Sequence, residues 1–278
     1  MYFSNTIMFK KLFACFTDNN NNNNNNIKKF IGKGSYGTIV SSYDKNGQKV
    51  AIKHAHSDVY SKSLLMKEYR MLKMLDHPNI IKPIRLHVEE ITSVILPYFD
   101  AGVYMVLPYY KTDLLDFVND NGNLDEHEVK MFVKAVASAL KHAHDKNIVH
   151  LDIKPDNILL MNHDIAHCVL SDWGASNFVH DIKPSIVCGS EGYCAPELYS
   201  NIMNKTKNSI GKPADVYSFG VTVHVLMTSK RISDATQDIE NLQCSDSLKN
   251  LLTGMLEIDP EKRMTIDDVL SHSFVQNV

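Results

Sequence analysis

Residues 149–160 read VHLDIKPDNILL and place Asp152, Lys154 and Asn157 close together between two apolar runs. An acid, a base and an amide in so short a span are typical of a functional site rather than of ordinary surface. A proline follows the lysine and disfavours helix, because its ring removes a backbone donor and clashes with the preceding turn. The stretch therefore predicts a loop that carries a site. Leu151, directly before the acid, is apolar at a position where a charge is expected.

A second acid extends this constellation. Asp172 follows in the run SDWGA, at the end of a short predicted strand. Oxygen ligands from Asn157 and Asp172 suit Mg²⁺, which takes few protein ligands and keeps several waters. Asp152 is then free to accept a hydroxyl proton, while Lys154 neutralises a moving phosphoryl group. A solvated loop acid explains any one of these carboxylates, but the ordered set indicates phosphoryl transfer.

A glycine-rich run, IGKGSYGTI, lies upstream at residues 31–39 and matches G-x-G-x-x-G. Glycines let a backbone approach phosphate groups closely and turn where a β-carbon would clash. A dinucleotide-binding motif has a helix after its glycines, whereas a strand is predicted here. Taken alone, the run is as typical of a hairpin that merely turns as of a phosphate-binding loop.

Lys53 lies at the centre of the apolar strand KVAIKHA. A buried lysine is unfavourable unless it is paired. Glu68 is the expected partner, because its apolar neighbours mark the buried face of the helix predicted over residues 61–75. These neighbours are Leu64, Leu65 and Leu72. The alternative is a lysine at a strand edge whose charged end reaches water.

The folded part divides into a strand-rich half, 27–110, and a helical half, 111–275. In the first half, two strands close a hairpin around residues 45–47, and apolar runs follow at 79–88 and 103–110. The similar runs ILPYF and VLPYY leave open which one forms the later strand. Helical periodicity in the second half predicts helices over 112–119, 125–146, 213–229, 246–257 and 265–275, with a short strand pair at 158–161 and 168–171. We expect an α+β fold of two lobes with a cleft between them.

Composition limits the function classes. The chain is 44% hydrophobic and 22% charged with a formal net charge of −3, which is ordinary for a globular protein and gives no indication of nucleic-acid binding. Five cysteines without a C-x-x-C pair argue against a disulfide framework and for an intracellular, cytoplasmic location. The histidine pairs 54/56 and 142/144 do not have the spacing that puts two imidazoles on one helical face, which argues against a histidine metal site.

The N-terminal residues 1–26 are expected to be a disordered tail, because an unbroken asparagine run at 19–26 has nothing to bury. Lys10 and Lys11 divide the apolar residues before that run into pieces too short to cross a membrane. We therefore expect no stable membrane insertion, with a weak interfacial anchor as the alternative.

Taken in order, these motifs resemble the protein kinase family. The resemblance covers nearly all of residues 27–275 and implies a small β-rich N-lobe and a larger helical C-lobe. The segments that carry it are IGKGSYGTI, VAIK ending at Lys53, Glu68, HLDIKPDN, DWG at 172–174, APE at 195–197, DVYSFG at 215–220, and Arg263 in IDPEKRMT.

The resemblance implies a role for each matched residue. Asp152 would be the catalytic base with Lys154 beside it, and Asn157 and Asp172 would hold Mg²⁺. Asp215 would brace the backbone of the catalytic loop, and Arg263 would pair with Glu197. The residues implied in ATP binding are Ile31, Gly32, Lys33, Gly34, Ser35, Tyr36, Gly37, Thr38, Ile39, Ala51, Lys53, Glu68, Tyr110 and Leu159.

The family resemblance also indicates the substrate class. Lys154, two residues after the catalytic aspartate, and Ser190 in GSEGYCAPE resemble serine/threonine kinases, so protein substrates with serine or threonine acceptors are expected. The main rival is a pseudokinase that binds partners without catalysis, which need not keep Lys53, Asp152, Asn157 and Asp172. A small-molecule phosphotransferase is a second rival, disfavoured by the APE segment.

Three residues depart from the family pattern: Leu151 replaces an arginine, Trp173 replaces a phenylalanine, and Pro108 stands at a hinge position that is often acidic. In the family, that arginine binds a phosphate on the activation loop and so orders the loop. Ile186 stands where the family often carries the phosphate acceptor, with Ser185 adjacent. These features predict a loop that is held by packing and a kinase that is active without activation-loop phosphorylation, unless another basic residue replaces the arginine.

Overall fold

The N-terminal part is built on one antiparallel sheet with the strand order β1-β2-β3-β5-β4. The computed structural model describes residues 29–34, 36–88, 102–182, 189–199, 211–230, 232 and 235–276. Asp44 and Gln48 close the predicted hairpin between β2 and β3 through a 2.8 Å backbone hydrogen bond. The strands are β1 (Lys29–Gly34), β2 (Gly37–Tyr43), β3 (Lys49–Ala55), β4 (Arg85–Val88) and β5 (Val103–Pro108).

The run VLPYY supplies the end of β5, which pairs with β3 so that Leu107 stands opposite Ala51. The similar run ILPYF lies outside the described residues. Only the last part of the apolar run 79–88 is a strand, because Ile80 instead forms an isolated bridge with Leu170 of the second lobe. The first lobe is thereby joined to the strands that follow the predicted catalytic loop.

Helix α1 (Val59–Met74) follows β3 and precedes β4 along the chain. It begins two residues before the range that periodicity predicts. Asp58 caps it by accepting the Ser61 backbone N–H, which otherwise has no partner in the first turn. Its buried face includes Leu65, Glu68 and Leu72, as the sequence predicts. Glu68 is therefore held facing the protein interior.

The second lobe is mostly helical, and a capping box at Asp125 and Glu128 starts its longest helix. Thr112 and Asp113 belong to a short strand rather than to the helix predicted from residue 112, because they pair with residues 159–160. His272 interrupts the last predicted helix. The helices are α2 (Leu114–Asn121), α3 (Glu126–Asp145), α4 (Lys212–Thr228), α5 (Ala235–Glu240), α6 (Asp246–Met255), α7 (Ile266–Ser271) and α8 (Ser273–Gln276).

Short strands precede and follow the loops of this lobe. The strand predicted at 168–171 is longer than expected and begins at Asp164. The strands are β6 (Thr112–Asp113), β7 (Ile148–Val149), β8 (Ile158–Met161), β9 (Asp164–Leu170) and β10 (Asn177–Phe178), with β6-β8-β9 forming one sheet and β7-β10 another.

One apolar core runs through both lobes, from Leu65 and Met105 in the first to Phe132 and Phe219 in the second. The fold class is confirmed: a β-rich lobe precedes a larger helical lobe in an α+β arrangement. Within the described part of the chain, no helix has the length and apolar character needed to cross a membrane.

Candidate active site

Asp152 lies on the loop between β7 and β8, and hydrogen bonds fix both of its carboxylate oxygens. The Ser190 hydroxyl donates to Oδ1 at 2.8 Å, and the amide nitrogen of Asn157 donates to Oδ2 at 3.0 Å. Asn157 also donates to the Asp152 carbonyl oxygen at 2.7 Å. Lys154 Nζ donates to the Ser190 hydroxyl at 2.6 Å and lies 3.4 Å from Asp152 Oδ2. The predicted loop residues and the distant Ser190 therefore form one hydrogen-bonded cluster.

A fully buried carboxylate from α4 holds the backbone of this loop. Asp215 accepts the backbone N–H of His150 at 2.8 Å and that of Leu151 at 2.7 Å. His144 Nε2 lies 2.9 Å from the same carboxylate. The predicted bracing of the loop by Asp215 is thus confirmed. Because hydrogen bonds to an ionised group are roughly twice as strong as neutral ones, Asp215 anchors the position of Asp152.

Lys53 is the centre of an ion cluster between β3, α1 and the segment after β9. Its Nζ lies 2.9 and 2.8 Å from the two Glu68 carboxylate oxygens and 2.7 Å from Asp172 Oδ1. The predicted pair with Glu68 is confirmed, and the alternative of a lysine reaching water at a strand edge is wrong. Burial acts to lower the pKa of Lys53, but the charges of Glu68 and Asp172 outweigh burial and raise it. The Lys53 ammonium in turn lowers the pKa of Asp172.

Asn157 and Asp172 present oxygen atoms from adjoining stretches of backbone. Ser171 donates its N–H to the Asn157 carbonyl oxygen at 2.8 Å, which places Asp172 next to that loop. Asp152 engages the amide nitrogen of Asn157, leaving the side-chain oxygen as the ligand atom. The Asp172 side chain is 49% exposed, with one oxygen on Lys53. A few hard oxygen donors, one of them on the half-exposed Asp172, fit Mg²⁺, which takes few protein ligands and keeps several waters.

The glycine-rich run forms the end of the β1–β2 hairpin. Gly34 faces Gly37 in register, and Ser35 lies outside the described residues. A β-carbon on Gly37 would stand 2.1 Å from the carbonyl oxygen of His54, so no larger residue fits. At Gly32 a β-carbon would meet no atom within 4 Å, which leaves that side of the hairpin open. A strand follows the motif, as the sequence predicts.

The apolar side chains implied in ATP binding lie at the margins of the main core. Ala51, Tyr110 and Leu159 are half-buried against it, and burial raises the pKa of Tyr110. Ile39 stands opposite Lys53 across β2 and β3. The other members of the hairpin are Ile31, Lys33 and Tyr36, which are exposed, and Thr38, which is half-buried.

Leu151 belongs to a small apolar cluster. Its backbone is left-handed, with φ of 66°, and the residue is only 2% exposed. Its neighbours come from β7, the start of α4 and both described ends of the segment between residues 172 and 199. This Leu151 cluster consists of Leu151 with the buried Val149, Cys194, Ala195, Leu198 and Ala214 and the half-buried Ala175, Val179, Ile182 and Tyr217. Ser185 and Ile186 lie outside the described residues.

A buried ion pair anchors the end of the same segment. Arg263 donates to the two Glu197 carboxylate oxygens at 2.6 and 3.0 Å, and both side chains are almost fully buried. Arg263 also donates to the Pro213 carbonyl oxygen at 2.8 Å, which joins the pair to the start of α4. The predicted pairing is confirmed.

Two buried histidines, His144 and His150, belong to the site but were not predicted from the sequence. His144 was considered there only as a metal ligand. His150 accepts the Asp152 backbone N–H at 3.2 Å on Nδ1, and its Nε2 lies 3.0 Å from the Ser171 carbonyl oxygen. The position of His150, two residues before Asp152, was the feature of the sequence that could have identified it as part of the site. His144 left none, because its partner Asp215 is 71 residues away.

Comparison with known proteins agrees with this geometry. A family model described as the protein kinase domain matches residues 25–275. The chain is 32% identical over 269 residues to the probable serine/threonine-protein kinase MARK-A of Dictyostelium discoideum, covering 90% of this chain and 24% of that protein. It is 31% identical over 265 residues to the carbon catabolite-derepressing protein kinase of Candida tropicalis, covering 88% and 40%. For the serine/threonine protein kinase OSK3 of Oryza sativa subsp. indica, the identity is 30% over 269 residues, covering 88% and 49%. The chain therefore spans less than half the length of each of these relatives.

Proposed function

This chain belongs to the protein kinase family, and from that premise we propose that it transfers the γ-phosphate of ATP to serine or threonine hydroxyls of protein substrates. The observation that carries the proposal is the oriented state of Asp152, whose two carboxylate oxygens are fixed by Ser190 and Asn157. A general base must be positioned before it can accept a proton in the transition state.

Each residue of the site has a separate role in the proposed phosphoryl transfer. Lys53, held by Glu68, binds the α- and β-phosphates, and the half-buried Ala51 and Leu159 contact the adenine ring. Asp152 accepts the proton of the substrate hydroxyl, and Lys154 neutralises charge on the transferred group. Asn157 and Asp172 would hold Mg²⁺, which supplies positive charge to the phosphate oxygens.

The serine/threonine class rests on two observations. Lys154, Ser190 and Asp152 are joined by hydrogen bonds, so the residues that resemble the serine/threonine pattern act as one unit at the catalytic base. The relatives MARK-A and OSK3 are also named as serine/threonine kinases. A rival role as a non-catalytic scaffold is disfavoured, because such a scaffold has no need of an oriented base and an intact lysine–glutamate pair.

We also propose that the kinase is active without phosphorylation of its activation segment. Leu151 has neither a charge nor a donor with which to bind a phosphate. In its place, Leu151 contributes to an apolar cluster with Val179 and Ile182 from one end of the segment and Leu198 from the other. Burying an aliphatic side chain stabilises by about 1.5–3 kcal/mol, comparable to an ion pair that it would replace. This packing at both described ends of the segment supports the proposal that no phosphate is needed to order it.

Phosphotransfer from labelled ATP to peptide arrays tests the proposed activity. Asp152→Asn keeps the shape of the base and removes its proton affinity, so turnover should fall by at least about 100-fold. Asp120→Asn, the same change at an exposed position of α2, is the matched control and should match the wild type. Near wild-type turnover in Asp152→Asn would contradict the assigned mechanism, and predominant phosphotyrosine would contradict the substrate class.

A further inference from the structure

Trp173 is the one tryptophan of the chain and is fully buried directly after Asp172. Its indole Nε1–H donates to the Leu170 carbonyl oxygen at 3.2 Å. The ring packs edge-on against His150, with 4.7 Å between ring centroids. The side chain therefore closes a short backbone segment, 170–173, by a hydrogen bond that spans Asp172.

Asp172 needs such a restraint because its backbone is left-handed, with φ of 53° and ψ of 66°. A non-glycine residue in this region costs about 1–2 kcal/mol and persists only where its surroundings determine it. Ser171 is bonded to Asn157 on one side of Asp172, and Lys53 holds the Asp172 side chain at 2.7 Å. The indole bond to Leu170 adds the third restraint.

We propose that the Trp173 indole N–H is a positioning group that holds Asp172 in the conformation that binds Mg²⁺. This inference rests on the proposed function of Asp172 as a metal ligand. A phenylalanine ring fills most of the same space but has no donor, so the restraint across Asp172 belongs to tryptophan alone. A role limited to core packing is the alternative, and it predicts no separate effect on metal binding.

The second partner of Leu170 makes the two roles separable. Its carbonyl oxygen also accepts the backbone N–H of Ile81 at 3.1 Å. When the indole donor is removed, the Leu170 carbonyl oxygen therefore still has a partner. A buried carbonyl that loses its only partner is a usual cause of large destabilisation, and none is created here. Trp173→Phe should accordingly lower stability only modestly while freeing Asp172.

Calorimetric titration of the full chain with Mg²⁺·ADP, and with ADP in excess chelator, measures the effect on metal binding without any assay of turnover. We expect Trp173→Phe to raise the Kd for Mg²⁺·ADP by about 10-fold, equal to about 1.4 kcal/mol, and to leave the Kd for metal-free ADP within about twofold. Phe132→Leu is the matched control, because Phe132 is a buried aromatic that packs on Phe219 within the helical lobe. It should lower the melting temperature and leave both affinities unchanged.

Hydrogen exchange of the indole N–H tests the bond in the wild-type protein, where a single tryptophan gives a single indole signal. We expect exchange at least about 100-fold slower than in free tryptophan. Rapid exchange, or equal Mg²⁺·ADP affinity in wild type and Trp173→Phe, would overturn the inference while leaving the proposed kinase activity intact. Wild-type protein that binds no Mg²⁺·ADP would contradict the proposed function and the inference together.

Discussion

The carbonyl oxygen of Leu151 lies against Gly189 so closely that a β-carbon on residue 189 would stand 2.6 Å from it. Gly189 has φ of 96°, a conformation that side chains rarely tolerate. The residue before the proposed catalytic base therefore touches the backbone that leads to Ser190, which donates to Asp152. The loop and the activation segment are joined here by a backbone contact as well as by the hydrogen bonds of Ser190.

We predict that Gly189→Ala destabilises the protein by about 2–4 kcal/mol, through backbone strain and the clash with Leu151, and lowers turnover at least about 10-fold. Chemical denaturation and peptide kinetics measure the two effects. Gly211→Ala is the matched control, because its β-carbon would meet neighbours only at 3.8 Å. Equal effects of the two substitutions would show that the contact with Leu151 is unimportant.

Glu68→Gln should lower kcat/KM by about two orders of magnitude, because breaking a buried ion pair costs about 3 kcal/mol. Glu68 is 4% exposed, and the variant leaves Lys53 without its main anchor. Steady-state kinetics with varied ATP measure the loss, and Glu261→Gln at an exposed position is the control. A loss of less than threefold would argue that Asp172 alone suffices to position Lys53.

The Lys53–Asp172 contact should stabilise the fold near neutral pH and lose this effect towards both acid and alkaline pH. Asp172 has a lowered pKa, so its contribution is present above its unfolded pKa of about 4 and is lost as pH falls through the folded value. Lys53 has a raised pKa, so its contribution is present below its unfolded value of about 10.4 and is lost only at higher pH. Denaturation of wild type and Asp172→Asn across pH measures the difference. A difference that does not shrink as the pH falls below about 4 would contradict this assignment.

Arg263→Lys keeps the charge but cannot form two parallel bonds to Glu197, so we predict a loss of about 2–4 kcal/mol in the free energy of unfolding. Lys262 is the neighbouring control: its exposed pair with Asp259 should contribute less than about 0.5 kcal/mol, as Lys262→Gln measures. Equal stability of Arg263→Lys and wild type would show that the second hydrogen bond to Glu197 contributes nothing.

The sequence was sufficient where residues act through local pattern. The apolar face of α1 identified Glu68 as the partner of Lys53, and the turn residues at 45–47 identified the hairpin between β2 and β3. It was insufficient where conformation depends on distant neighbours. The left-handed residue Leu151 is bonded to the distant Asp215, and the left-handed Asp172 is bonded to the distant Lys53. Two-residue strands such as β7 and β10 are too short to carry a period. Packing by the apolar Leu151 was predicted from the sequence, but the neighbours that it packs against emerged only from the fold.

The activity of phosphate-free protein tests most directly the proposal that the kinase needs no phosphate on its activation segment. The enzyme is treated with phosphatase, mass spectrometry confirms that residues 172–197 carry no phosphate, and transfer from labelled ATP to serine and threonine peptides is then measured. We predict turnover within about twofold of the untreated enzyme, because the Leu151 cluster contacts both described ends of the segment and is proposed to take the place of a phosphate. Activity that disappears and returns only on rephosphorylation would contradict it.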